Sequence, residues 1–186
     1  MGQHLFLPHV YGVNHDCMVS SFDLPTLVAA EKQLDRRPAW HPEHCEFVVP
    51  LSVSGITVGG LELRGTGSFT ALDRNIMFQL EHSPAGRKRI PLWRCEWRPF
   101  SPHTNKAIGP QELHFLQLPG SHEHPFYLNW LEHEQRMRTG NLPIAKEITP
   151  DPASFEEFLD FCGKQFNISN MNIVPAPEWR GDLFRV

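Results

Sequence analysis

Apolar and polar residues alternate with period two through the middle of the chain, the pattern of strands that bury one face. Ile76, Phe78 and Leu80 alternate with Met77, Gln79 and Glu81, and beyond the loop at 83–87, Trp93, Cys95 and Trp97 alternate with Arg94, Glu96 and Arg98. The tryptophan face is expected in the core, which turns the Arg-Glu-Arg face outward. Upstream, Phe47-Val48-Val49, Leu51-Ser52-Val53, Ile56-Thr57-Val58 and Leu61-Glu62-Leu63 form short β-rich runs around Ser54-Gly55 and Gly59-Gly60, which are turn or bulge signals. Together these runs predict an antiparallel sheet.

Elsewhere the spacing is helical. Asp23 as N-cap and Pro25 in the first turn open a predicted helix with Leu24, Leu27, Val28 and Leu34 on one stripe, ending near Pro38. A strand is predicted over Gln111 to Leu118, followed by a turn at Pro119-Gly120. Asn129 and Glu132 have the spacing of a capping box, for a helix ending near Gly140-Asn141 with Glu132–Arg136 and Glu134–Arg138 pairs on its surface. Asp151 and Pro152 start a last helix with Phe155, Phe158, Leu159 and Cys162 on one face and Gly163 as its stop, and Trp179 anchors the tail. The fold class is α+β: a curved, mostly antiparallel sheet of about five to seven strands with two or three packed helices, a half-barrel being the alternative closure.

With 186 residues, the chain is expected to form a single globular domain over 1–186. No segment approaches the roughly 20 apolar residues that span a bilayer, and the start shows no secretory pattern, so a cytoplasmic location is expected. Cys17, Cys45, Cys95 and Cys162 lack C-x-x-C spacing and fit reduced thiols. A net charge of -4 provides no general attraction for nucleic acid. The local basic run Arg87-Lys88-Arg89 reads as a solvated hairpin tip.

Histidines concentrate the candidate chemistry between Trp93 and His133. In an extended His122-Glu123-His124 both imidazoles point the same way, as a metal chelate or an acid/base pair requires. A turn with an odd number of unpaired residues, such as Pro119 to Ser121, places His114 on that face too. His114, His122 and His124 then form a candidate divalent transition-metal site, with Glu112 as a further ligand or base. A metal-free arrangement uses His103 and Asn105, in a proline-ordered loop just past the strand that carries Arg94 and Arg98.

The leading expectation is a small hydrolytic enzyme acting on a phosphate ester or RNA. His103, His122 and His124 serve as acid/base groups, Asn105 as amide donor and Arg98 as anion clamp, with no cofactor required. One alternative is a protein-binding module that uses Phe100, Phe126, Tyr127 and Trp179 as anchors for a protein partner. The other is the histidine-ligated metal enzyme. His41, His44 and Cys45 have zinc-ligand chemistry but no second cluster at finger-like spacing. There is no G-x-S-x-G elbow, Walker loop or dinucleotide glycine pattern.

Overall fold

The computed structural model describes residues 23–83 and 88–180. His4, His9, His15, Cys17 and Arg87, with most of the predicted 83–87 loop, lie outside them. The helices are α1 (Leu24–Ala29), α2 (Phe126–Arg138) and α3 (Phe155–Phe166). The strands are β1 (Lys32–Leu34), β2 (Glu46–Val53), β3 (Ile56–Thr66), β4 (Ile76–His82), β5 (Ile90–Trp97), β6 (His103–Thr104), β7 (Gln117–Leu118), β8 (His122–His124) and β9 (Lys146–Glu147). Seven of these form an open antiparallel sheet in the order β1-β2-β3-β4-β5-β8-β9, while β6 and β7 pair with each other in a second, two-stranded sheet. This is the expected α+β class with a curved, unclosed sheet.

One face of the sheet carries the core. Phe47, Val49, Leu61, Leu63, Phe78, Leu80, Cys95 and Trp97 are buried there. Phe158 of α3 stacks on both Phe78 and Trp97, with ring centroids 5.5 and 5.7 Å away. Burying each such side chain contributes about 1.5–3 kcal/mol, which is why the apolar stripe of α3 lies on the sheet.

The other face is polar and ordered in rungs, because residues opposite one another on antiparallel strands project the same way. Arg64, Gln79, Arg94 and His124 form one rung across β3, β4, β5 and β8. Thr66, Met77, Glu96 and His122 form the next. Glu81, fully buried beside the first rung, is held by Arg64 at 3.1 Å, Arg89 at 2.9 Å and Gln79 at 2.8 Å.

Several predicted boundaries are corrected. The four short runs before residue 66 merge into two strands, with Ser54-Gly55 as their turn and a register shift between Pro50 and Ser52. The first helix stops at Ala29, and Leu34, counted in its stripe, belongs to β1 opposite Leu51. Gln111 to Leu118 is not one strand: Gln111–Leu113 is a 3-10 turn and only Gln117–Leu118 is extended. The middle helix starts three residues before Asn129, behind Pro125, so Asn129 is an internal buried residue and not a cap. Its amide bonds the Pro125 carbonyl and both backbone groups of Ile144 at 2.9 Å. Of the two surface pairs, Glu134–Arg138 forms, at 2.8 Å.

The last helix is capped by Ser154 rather than Asp151, and it runs through Gly163 to Asn167, which takes the left-handed capping conformation. A Cβ on Gly163 would stand 3.0 Å from that of Met171, so this glycine serves close packing and not termination. As expected, Trp179 packs on the core, its ring 6.1 Å from Phe155.

Candidate metal centre

Three imidazoles converge on the polar face. One ring nitrogen each from His103, His122 and His124 lies within 4.8 Å of the others. Among the described residues this is the group of histidines, cysteines and carboxylates arranged to hold a metal ion. β8 positions two of them by strand alternation, while its central residue, Glu123, turns to the opposite face and accepts from Trp93 Nε1 at 2.8 Å. β6 brings the third from another sheet: the His103 ring centroid is 5.5 Å from that of His122 and 4.7 Å from that of His124.

The hydrogen bonds orient two rings for ligation. His122 Nδ1 donates to the Gly120 carbonyl at 2.9 Å and His124 Nδ1 to the Leu142 carbonyl at 2.7 Å. A carbonyl only accepts, so the proton of each neutral ring sits on Nδ1 and Nε2 carries the lone pair. Both Nε2 atoms are buried and have no hydrogen-bond partner among the described residues. A buried unsatisfied polar atom costs about 1–3 kcal/mol, and two aimed at one place call for a shared occupant. A second-nitrogen bond to a carbonyl is also what orients histidine ligands in metal sites.

Glu96 faces these atoms from β5. Its carboxylate oxygens lie 3.6 Å from His124 Nε2 and 3.8 Å from His122 Nε2, too far for hydrogen bonds and near enough to share an ion. Burial works against its charge, but contact with His124 and the neighbouring His122 and Arg94 hold it at about 2, so it is ionised at neutral pH. Desolvation holds His124 down at about 4 and depresses His103 as well. Unprotonated imidazole and ionised carboxylate are the forms that ligate metals.

Asn105, 1% exposed, supports the third ligand. Its Oδ1 accepts from His103 Nε2 at 3.1 Å and from the Ala145 N–H at 2.9 Å, while its Nδ2 donates to the Leu113 and Ala145 carbonyls, so a neutral His103 carries its lone pair on Nδ1. It therefore ties the β6 loop to the strand region around β9.

Arg98, placed by sequence alternation beside these groups, is elsewhere. Its φ of 44° takes it out of the extended strand, and its guanidinium bonds Asp151 and the Pro152 carbonyl. His114 is not in the cluster either. The 3-10 turn and a φ of 59° at Phe115 break the expected strand, and His114 Nε2 lies 2.9 Å from the Gly109 carbonyl. Glu112 is exposed on that turn. Of the aromatic anchors, Phe126 is buried, while Phe100 and Tyr127 are exposed. Glu96 is the site residue the sequence reading left without a role; its signal was its place on the outward face of β5.

No known protein family, curated protein or solved structure matches this chain.

Proposed function

We propose that His103, His122 and His124 hold a divalent transition metal, with Glu96 beside it, and that the protein is a metal-dependent hydrolytic enzyme. The observation that carries this reading is the pair of buried, unpartnered Nε2 atoms of His122 and His124 facing one carboxylate. Three nitrogens and one oxygen suit zinc and its first-row neighbours better than calcium or magnesium, which prefer all-oxygen shells. Ligand nitrogens in a tetrahedral zinc site stand roughly 3.3 Å apart, closer than the separations of up to 4.8 Å here, so binding would draw the rings together.

A metal-free acid/base pair fits less well. It needs one imidazolium to deliver a proton into the shared space, whereas burial holds His124 down at about 4 and depresses His103, which works against a protonated ring at neutral pH. An ion in this position would activate water for attack on an ester. The buried thiols of Cys45, Cys95 and Cys162, none in a disulfide, support a reducing, cytoplasmic setting.

Protein purified without a histidine tag, stripped by chelator and titrated with Zn²⁺, Co²⁺, Ni²⁺ and Mn²⁺, should take up one equivalent of at least one ion. His122→Gln and His124→Gln should each lower that affinity by at least 100-fold while circular dichroism stays unchanged. Loaded protein should cleave a member of a panel of phosphate and carboxylic esters, and stripped protein should not. No stoichiometric uptake of any ion by the wild type would refute the metal centre.

A further inference from the structure

The charge around the proposed ion is unbalanced. A divalent ion, the Glu96 carboxylate and the Arg94 guanidinium together leave two positive charges in excess. The other acids among the described residues do not remove them. Glu81 is already paired with Arg64 and Arg89, and Glu123 lies on the core face with Lys146. Glu147, opposite His122 on β9, is exposed and forms no ion pair with the cluster among the described residues; even if it is counted, positive charge remains.

Arg94 is held for use. It stands directly across from His124 in the sheet register, on the face that carries the imidazoles. Its Nε donates to Gln79 Oε1 at 3.0 Å, which fixes the plane of the guanidinium. Nη1 approaches Glu96 Oε1 only to 3.6 Å, and neither Nη makes a hydrogen bond among the described residues. The side chain is 28% exposed. Two parallel N–H groups on a guanidinium match two oxygens of an oxyanion.

Beside Glu96, which is the one site residue that lines it, the surface opens into a cleft of about 210 Å³ formed with Thr66, Gly67, Asn75, Ile76, Met77 and Pro99. It is smaller than the roughly 300 Å³ at which drug-sized pockets begin, and it leaves room for a compact group against Glu96.

We infer that the ligand of this centre carries a phosphate group, one oxygen of which meets the ion while others are gripped by the two Nη groups of Arg94. Phosphate supplies enough oxygens for both contacts at once and brings the negative charge the site lacks. The inference rests on the metal centre proposed above, and it moves the anion clamp from Arg98, which is engaged with Asp151 and Pro152, to Arg94.

The test uses the full chain loaded with Co²⁺, inorganic phosphate as the probe, and calorimetry together with the visible Co²⁺ spectrum. Phosphate should bind the loaded wild type and perturb the spectrum, while the stripped protein should bind it at least tenfold more weakly. Arg94→Gln should retain one Co²⁺ with the wild-type spectrum in the absence of phosphate, yet weaken phosphate binding by about 10- to 100-fold, the loss expected for charge-assisted hydrogen bonds. Arg94→Lys, which keeps the charge but not the fork, should weaken it several-fold and carries the test should Arg94→Gln not fold. Unchanged phosphate affinity in a folded, Co²⁺-loaded Arg94 variant would overturn the inference and leave the metal centre standing. So would a loaded wild type that does not bind phosphate. Failure of the wild type to take up Co²⁺ or any other ion would instead sink the metal centre, and this inference with it.

Discussion

Lys32 is fully buried, an unusual place for an ammonium group, and its surroundings explain it. Its Nζ donates to the carbonyls of Leu27 and Val28 at 2.9 and 2.8 Å, and to that of Ala30. These are carbonyls that the end of α1 leaves without helical partners. Lys32→Met should therefore cost about 1–3 kcal/mol in urea unfolding, by orphaning buried acceptors. Burial also lowers the Lys32 pKa to about 8 from the ordinary 10.5. Between those values the unfolded chain binds more protons than the folded one, so stability should rise with pH across this window. That gain should be smaller in Lys32→Met; equal pH slopes in the two proteins would show that Lys32 titrates normally. At this scale the sequence was legible where alternation held, as for Trp93, Arg94, Cys95, Glu96 and Trp97. It misled at Arg98, where a left-handed φ ends the alternation one residue after the strand.

Among the elements, β3 shows how the sheet accommodates its aromatic core. Gly65 stands opposite both Phe47 and Phe78, and a Cβ there would lie 2.3 Å from the Phe47 ring. Gly65→Ala should destabilise by about 1–3 kcal/mol through overpacking, read as a lower urea midpoint with an unchanged slope. A neutral result would mean that the Phe47 ring yields without cost. The same scale separates what could be read of the site from what could not. The two-residue repeat of β8 was enough to align His122 with His124, since strand side chains repeat every two residues. His114 required an uninterrupted strand with the right turn, and the 3-10 segment and Phe115 removed it. The start of α2 was misplaced because Asn129 resembles a cap, whereas its amide ties the helix to the backbone at Ile144.

At the level of the whole molecule, the proposed centre joins three chain segments: β5 through Glu96, β6 through His103 and β8 through His122 and His124. An ion bound there favours the folded state over the unfolded one. At a free concentration 100 times its Kd it should add about 2.7 kcal/mol, or roughly 5–10 °C in Tm for a chain of this size. Chelator should reverse the shift, and His124→Gln should show little of it. A wild-type Tm that no transition metal raises would count against the centre.

By itself the sequence determined the α+β class, the two faces of β4 and β5, the apolar face of α3 and the alignment of His122 with His124. Each is a local consequence of side-chain period, and period is written in consecutive residues. Only the tertiary structure decided that His103 joins that pair, that Glu96 faces it, and that Arg94 rather than Arg98 stands at its side. Those relations depend on cross-strand register, on a small second sheet folded against the first and on single left-handed residues. They are set by which distant segments pack together, and a local pattern carries no record of that choice.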